Sequence, residues 1–172
     1  MIEENSRMEK GGTKLVIGAG NKYMGKEYTR LDNDPAAKPD ILYDLTQFPW
    51  PFKSDSVEEI IAEDVLEHLP NIPRTMAEVY RILKKGGTIQ IDCPYAHSFG
   101  AFEDPSHVHY LMPESFEAFF TVKGDMRRMG GGKLFTLEKI HLEKNSKLKW
   151  MPASLLKFIM NGIVEFTVIL KK

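Results

Sequence analysis

The sequence predicts an α/β fold built on a mostly parallel sheet. Two observations support this prediction: short apolar runs rich in β-branched residues alternate with segments of helical periodicity, and clusters of glycine, proline and aspartate separate them. Strands separated by helices or crossovers are typical of parallel sheets. The 172 residues, 42% of them hydrophobic, suffice for one domain with one core. We expect residues 1–13 to be a flexible tail and residues 14–172 to form a single domain.

Four strands are predicted before the first clear helix. Residues 14–17 form an apolar run that stops at Gly18-Ala19-Gly20, and such a run is typical of a strand buried on both faces. The second strand, residues 28–31, ends at Asp32. The third, residues 41–43, runs into Asp44. The fourth, residues 57–62, follows a turn signal at residues 53–56.

The clearest helix is predicted at residues 74–85. Met76, Val79, Tyr80 and Leu83 stand at i, i+3, i+4 and i+7 and form one apolar stripe. Gly86-Gly87 predicts the end of this helix. The remaining predicted elements are a strand at 88–91, a helix at 113–120 with Phe116, Phe119 and Phe120 on one face, a strand at 134–142, a helix near 153–160 and a strand at 164–170.

Composition and charge exclude several classes of protein. A single cysteine, Cys93, excludes a disulfide framework and a multi-cysteine zinc module. The most apolar stretch, residues 155–170, is too short and too polar to span a bilayer, and we expect a cytoplasmic protein. Residues 1–122 carry 12 basic and 20 acidic side chains, whereas residues 123–172 carry 11 basic and 4 acidic side chains. Without alternating basic and aromatic residues, this asymmetry favours solvated surface lysines, and no nucleic-acid partner is expected.

A glycine turn and an acidic residue suggest a nucleoside site. Gly18 and Gly20 directly follow the first strand, where ligands of open α/β sheets bind. Asp32, at the end of the second strand, is placed to hold ribose hydroxyls, although it could be only a turn residue before Pro35. The missing third glycine disfavours a dinucleotide such as NAD. Asp44 and the backbone of Leu45 could bind adenine, or Asp44 could form only an Asx turn.

The order of these motifs resembles a known family. LVIGAG, LDND, DILYDL, FPWPFKSDSVEEIIAEDVLEHL, EVYRILKKGG and TIQI follow one another as in class I S-adenosylmethionine-dependent methyltransferases, in particular a small bacterial and archaeal branch. The resemblance covers about residues 14–120. It implies a Rossmann-like, mostly parallel seven-stranded sheet with flanking helices, whose last two strands form a hairpin-like edge. It also implies S-adenosylmethionine as the cofactor.

The resemblance implies roles for individual residues. Gly18, Ala19 and Gly20 would form the turn under the methionine part of the cofactor, Asp32 would bind its ribose, Asp44 and Leu45 its adenine, and Glu63, Asp64 and His68 would face its methionine end. Two positions depart from the family pattern. Val16 replaces a common acidic residue, and Lys22 replaces a third glycine, with the first helix shortened.

The segment after the fifth strand is predicted to bind the methyl acceptor. It contains His97, His107 and His109 together with Glu103 and Asp104. In the resembled branch a DP-[ST]-H stretch occurs at this place, which makes His107 the candidate general base. Asp104 would orient His107 or cap the local turn. His107 and His109 with the two carboxylates could instead bind a metal, or the histidines could only fix a lid, and we expect no metal site.

The predicted function is O-methylation of a sugar or another small polar acceptor. The alternative is a non-catalytic subunit that binds S-adenosylmethionine or S-adenosylhomocysteine and serves a partner. Residues 147–161 mix lysines with apolar residues, so they could lie on a membrane surface that presents a lipid-linked acceptor. A helix packed on the sheet is the simpler interpretation of this segment. The sequence leaves the oligomeric state open.

Overall fold

The computed structural model describes residues 13–21, 25–120 and 135–172. The strands are β1 (Thr13–Ile17), β2 (Tyr28–Asp32), β3 (Ile41–Leu42), β4 (Val57–Glu63), β5 (Leu83–Pro94), β6 (Thr136–Lys144) and β7 (Ile163–Lys171). The helices are α1 (Ile72–Ile82), α2 (Gly100–Glu103), α3 (Pro113–Phe120) and α4 (Ala153–Leu156), and short 3-10 turns cover Pro35–Ala37, Leu66–His68 and Ser146–Leu148. No helix in these described ranges is long and apolar enough to span a membrane.

The seven strands form one sheet in the order β3-β2-β1-β4-β5-β7-β6. The first five strands are parallel, and β7 is antiparallel to both β5 and β6. The predicted mostly parallel seven-stranded sheet with a hairpin-like edge is therefore confirmed. The strand order reverses direction at β1, between β2 and β4, and this switch point opens a crevice at the carboxyl ends of the strands.

The predicted helix at 74–85 differs from the structure at both ends. Pro73 lies in the first turn of α1, and the Asn71 side chain accepts a hydrogen bond from the backbone N–H of Arg74 at 3.0 Å, which starts the helix earlier. At the other end, Leu83 is buried and pairs with Val57, so it begins β5. Tertiary pairing therefore overrides the helical spacing, and β5 is longer than the predicted 88–91.

Other boundaries shift by less. β3 ends at Leu42 rather than residue 43, and the predicted helix near 153–160 shortens to α4. Thr13 lies in β1, so the predicted tail loses its last residue, and residues 1–12 lie outside the described residues. Lys22 and the Phe119 and Phe120 side chains also lie outside them. The described residues between β1 and β2 form no helix, which fits the shortened first helix.

The hydrophobic core lies mainly on one face of the sheet. Met76 of α1, Phe116 of α3 and Leu156 of α4 are buried in the same cluster as the inward-facing residues of β4, β5 and β7. On the opposite face, Gln90 and Thr167 are half-buried. Along β5 and β7, buried core residues therefore alternate with less buried ones on the opposite face.

A partly buried ion pair between Glu78 and Arg81 fastens the loop after β3 to α1. Glu78 Oε1 accepts hydrogen bonds from Trp50 N and Arg81 Nη2, both at 2.6 Å, and Arg81 Nη1 donates to Phe52 O at 2.8 Å. Burial by itself would raise the pKa of Glu78, but the bonds from Arg81 and Trp50 outweigh it, and the pKa lies below its usual value. The charged form of Glu78 therefore stabilises this loop.

Candidate active site

The turn after β1 passes close to the loop after β4. Gly18 and Gly20 have φ of +59° and +49°, a region that side chains with a Cβ rarely adopt. A Cβ at Gly18 would lie 2.5 Å from Val65 Cγ2, whereas a Cβ at Gly20 would meet nothing within 4 Å among the described atoms. The turn is thus tightly packed at Gly18, whereas the described atoms leave space beside the Cα of Gly20.

Asp32 joins the ends of the first two strands, as its position at the end of β2 predicts. Its Oδ2 accepts from Gly20 N at 2.7 Å and its Oδ1 accepts from Asp34 N at 2.8 Å. The residue is 8% exposed. A carboxylate has about four lone-pair directions, so these two bonds leave acceptor capacity for a ligand. Asp32 can therefore support the turn and bind a ligand at once.

Arg30 is a supporting residue that the sequence analysis did not identify. Its Nη2 donates to the carbonyl oxygens of Gly20 and Ala37, at 2.5 and 2.9 Å. Its backbone N–H donates to Asp40 Oδ2 at 2.9 Å. The sequence gives no sign that Arg30 binds two loops, because an arginine is common at a polar position of a strand. The two carbonyls that it contacts come from the loops before and after β2.

Asp44 and Leu45 lie in the loop after β3, and Asp44 forms the Asx turn that was its alternative role. Its Oδ1 accepts from Thr46 N and Thr46 Oγ1, both at 2.8 Å. The Thr46 backbone bond and then its hydroxyl bond lower the pKa of Asp44. Leu45 is buried, and its carbonyl accepts from Trp50 Nε1 at 3.1 Å. Leu45 also borders a pocket of about 200 Å³ that Phe48, Leu69 and Arg74 help to line.

A second cleft, of about 590 Å³, lies at the carboxyl ends of β4 and β5. It brings together four predicted site residues from two distant segments of the chain. Glu63 is the last residue of β4, directly before this cleft begins. The lining residues are Asp64, Glu67, His68, Pro94, Gly100, Glu103, Asp104, Pro105 and His107. The cleft is therefore rich in carboxylates and contains two imidazoles.

His107 is held by backbone and not by Asp104. Its Nδ1 lies 2.9 Å from Ala101 O, and because a carbonyl only accepts, Nδ1 carries the hydrogen. Its Nε2 faces Glu67 Oε1 at 4.0 Å. Asp104 instead accepts from Ser106 Oγ at 2.6 Å and Ser106 N at 2.8 Å, which lowers its pKa. Asp104 thus caps the local turn, and the proposed orienting partner of His107 is replaced by a carbonyl.

Glu67 is the central residue that the sequence analysis missed. Its side chain is only 3% exposed, and its Oε2 accepts from Cys93 Sγ at 3.4 Å. Its Oε1 has no hydrogen-bond partner among the described atoms. Burial raises the pKa of Glu67, and burial also raises that of the Cys93 thiol, which stays protonated and donates. The sequence did contain a signal for this role, because a single carboxylate stands among apolar residues, namely Val65, Leu66 and Leu69.

The other two histidines do not join this cluster. Residues 107–110 form no strand, so the strand face that His107 and His109 would share does not exist. His109 donates its backbone N–H to Glu67 O at 3.1 Å, and neither His97 nor His109 lines the 590 Å³ cleft. His97 Nδ1 lies 3.2 Å from Lys157 O. The imidazole that accompanies His107 is that of His68.

Two exposed aromatic side chains flank α4. Trp150 and Phe158 are 80% and 85% exposed, and within α4 only Leu156 is buried. Of the helix that was predicted to pack on the sheet within residues 147–161, only the short α4 is present, and it packs through Leu156. The segment is linked to the loop before α2, because Phe99 N donates to Asn161 Oδ1 at 3.1 Å. Gly100 and Glu103 of α2 line the cleft, so the end of this segment at Asn161 contacts the loop that leads into the cleft wall.

Comparison with known proteins gives a family match and structural relatives. Residues 17–91 match the family model described as a methyltransferase domain. A S-adenosylmethionine-dependent methyltransferase from Archaeoglobus fulgidus is similar in structure, with a TM-score of 0.61, 16% identity and coverage of 99% of this chain and 91% of that one. A S-adenosylmethionine-dependent methyltransferase from Mesorhizobium loti is also similar, with a TM-score of 0.58 and 15% identity. The match covers 99% of this chain and 96% of that one.

A third structural relative is a chain from a complex that contains the Trm112 methyltransferase activator of Haloferax volcanii. Its TM-score is 0.57 at 16% identity, and the match covers 96% of this chain and 88% of that one. The sequence matches no curated protein. At such identities the structural likeness shows the fold, and the family match covers 75 of the 172 residues.

Proposed function

We propose that this chain is a class I S-adenosylmethionine-dependent methyltransferase that methylates an oxygen of a small polar acceptor, with a sugar as the favoured class. The match of residues 17–91 to a methyltransferase domain and the fold shared with such enzymes support this proposal. The observation that supports this most is the contact between the two halves of the site. Gly18, in the turn after β1, packs against Val65, and Val65 leads directly into the loop that lines the acidic cleft. A cofactor over the turn and an acceptor in the cleft would therefore be neighbours.

The residues present fit the cofactor. Asp32 has unused acceptor capacity for the two ribose hydroxyls, and no described atom lies within 4 Å of a Cβ position at Gly20, so a ligand could pass close to this turn. The pocket beside Leu45 offers apolar walls for the adenine ring. Asp44 contributes less, because Thr46 already contacts both of its carboxylate oxygens. When bound, S-adenosylmethionine supplies an electrophilic methyl group, and this chain contributes position and orientation.

Val16 does not prevent this arrangement. It is buried beside Ala19, Ile61 and Tyr28, on the face of the sheet away from the main core. The acidic residue that the resembled family has there is therefore replaced by a packing residue. We expect weaker affinity for the amino group of the cofactor, while the ribose site at Asp32 remains.

The lining of the cleft favours an acceptor with several hydroxyl groups. Asp64, Glu67, Glu103 and Asp104 present carboxylate oxygens, which accept hydrogen bonds from hydroxyls and repel anionic groups. His107 has a fixed tautomer whose Nε2 can accept a proton from an acceptor hydroxyl. We therefore keep His107 as the candidate base, with Ala101 O in the orienting position that we expected of Asp104.

A lipid-linked acceptor has its own structural support. The exposed Trp150 and Phe158 lie in a segment that also carries Lys147, Lys149 and Lys157. Aromatic residues with lysines are typical of segments that lie at an anionic membrane surface. Because the end of this segment at Asn161 contacts the loop before α2, an acceptor anchored in lipid could reach the cleft while its carrier stays in the membrane.

The second candidate function is a cofactor-binding subunit without activity of its own. The half-buried polar side chains on the open face of the sheet, among them Gln90 and Thr167, favour it, because a partner could cover this face. The relative from the Trm112-containing complex shows a similar fold beside an activator. In this case the protein would bind S-adenosylmethionine and transfer nothing by itself.

Methyl transfer to defined acceptors tests the proposal. Purified protein would receive S-adenosylmethionine labelled in its methyl group, with neutral sugars, anionic sugars and small amines as separate acceptors. We expect label in neutral sugars, and we expect His107→Ala to bind the cofactor normally and to transfer more slowly. Label only in amines would contradict O-methylation. Normal cofactor binding with no transfer to any acceptor would favour the subunit without activity.

A further inference from the structure

We propose that Glu67, His68 and His107 form a binding site for one divalent transition-metal ion, with Zn²⁺ as the best match, in the wall of the acidic cleft. The inference goes beyond the proposed function, since metal binding is measured without cofactor or acceptor. It also differs from the metal set that the sequence suggested. That set placed His107 with His109, whereas the structure places it with His68 and Glu67.

The three side chains converge on one point. Each offers one ligand atom, and these atoms all lie within 4.8 Å of one another, with His107 Nε2 and Glu67 Oε1 at 4.0 Å. Around a tetrahedral Zn²⁺ with bonds of about 2.1 Å, ligand atoms lie about 3.4 Å apart. A closure of about 1 Å, which side-chain rotations can supply, would therefore complete the three-ligand set.

The hydrogen-bond partners of the two imidazoles indicate which ring nitrogen of each carries the hydrogen. The Nδ1–H of His107 donates to Ala101 O, which leaves the Nε2 lone pair free. Ser106 Oγ donates its one hydrogen to Asp104 Oδ1, so it must accept from His68 Nδ1 at 3.1 Å. Metal-binding histidines typically donate their second N–H to a carbonyl or a polar group in this way.

Glu67 supplies the independent indication of a ligand. Its side chain is 97% buried, Cys93 occupies Oε2, and Oε1 has no partner among the described atoms. An unsatisfied buried carboxylate oxygen is unfavourable, and it faces the two imidazoles. A cation between the three groups would satisfy Oε1 and neutralise the charge.

The ligand chemistry selects the metal. Two imidazoles and one carboxylate suit Zn²⁺ and similar first-row ions, whereas Mg²⁺ and Ca²⁺ prefer oxygen ligands. Three protein ligands leave a position toward the cleft, where an acceptor oxygen could bind. In the metal-loaded protein His107 Nε2 would be a ligand, and in the metal-free protein it would be free to act as a base.

The test is titration of the metal-stripped full-length protein with Zn²⁺ by calorimetry, with Co²⁺ absorption spectra as a second measurement. We expect one ion per chain. Glu67→Gln and His107→Gln should each weaken binding at least about 100-fold, because even residues that only orient ligands are worth 10- to 100-fold. His141→Gln, which changes an exposed imidazole on β6, serves as the matched control and should leave binding unchanged.

Ser106→Ala keeps all three ligands and removes only the support of His68, so it should weaken binding about 10-fold. Equal Zn²⁺ affinity in the wild type, Glu67→Gln and His107→Gln would overturn the proposal. Folded wild-type protein that binds no Zn²⁺ and shows no tetrahedral Co²⁺ spectrum would overturn it as well. Binding of S-adenosylmethionine, measured on the same metal-stripped sample, reports separately on the proposed function.

Discussion

Replacing Gly18 by alanine tests the packing of the turn against the loop after β4. The new Cβ would lie 2.5 Å from Val65 Cγ2, and Val65 is buried and β-branched, so it has little freedom to move. The φ of +59° adds backbone strain. Gly20→Ala is the matched control, because φ there is +49° and no described atom lies within 4 Å of the new Cβ.

The two substitutions should differ by the overlap alone. The left-handed conformation costs about 1–2 kcal/mol for a residue with a Cβ, and this contribution is common to both variants. Overpacking in a buried site adds about 1–3 kcal/mol at Gly18 only. A chain of this size loses about 2–4 °C in melting temperature per kcal/mol. Gly18→Ala should therefore melt lower than Gly20→Ala by several degrees.

The assay is thermal unfolding followed by circular dichroism, with wild type, both variants and the double variant Gly18→Ala/Val65→Ala. Removing the Val65 methyl groups should relieve the overlap, so the two substitutions should be less destabilising together than the sum of their separate effects. Equal melting temperatures for Gly18→Ala and Gly20→Ala, with additive effects in the double variant, would refute the proposed packing.

Two further predictions concern stability and membrane contact. Glu78→Gln should lower stability by about 1–3 kcal/mol at pH 7, because a neutral amide oxygen accepts weaker hydrogen bonds from Arg81 and Trp50 than the charged carboxylate does. Since folding lowers the pKa of Glu78, this stabilisation is complete above about pH 4.5 and is lost as the pH falls through the folded-state pKa, so wild type and variant should converge in acid melts. Phe158→Ser should reduce sedimentation with anionic phosphatidylglycerol vesicles without changing the melting temperature, because the side chain is 85% exposed; unchanged sedimentation would contradict a membrane-facing role.

The parts of the site formed by neighbouring residues could be predicted from the sequence. Gly18 and Gly20 follow a buried strand, and Asp32 ends the next one, so a turn and a carboxylate at one sheet edge follow from parallel pairing. The seven strands were predicted for the same reason, since each depends on a local apolar run. The prediction that Leu83 belongs to the helix was wrong, because Leu83 pairs with β4 and helical spacing gives no information on such a tertiary contact.

The cluster around Glu67 could not be predicted in this way. Its partners Cys93 and His107 lie 26 and 40 residues further along the chain, and only the fold brings them together. Similarly, the preference of Asp104 for Ser106 over His107 depends on the path of one loop. Sequence patterns indicate which residues line a site, whereas their hydrogen-bond partners follow from tertiary structure.

Calorimetric titration with S-adenosylmethionine tests the central claim most directly. The wild type and Asp34→Ala, whose carboxylate lies two residues from Asp32 and caps only its own turn, should bind with a dissociation constant in the micromolar range. Asp32→Ala should abolish binding, because it removes both the ribose acceptor and the support of Gly20. Absence of binding in folded wild-type protein, or equal affinity in wild type and Asp32→Ala, would contradict the account.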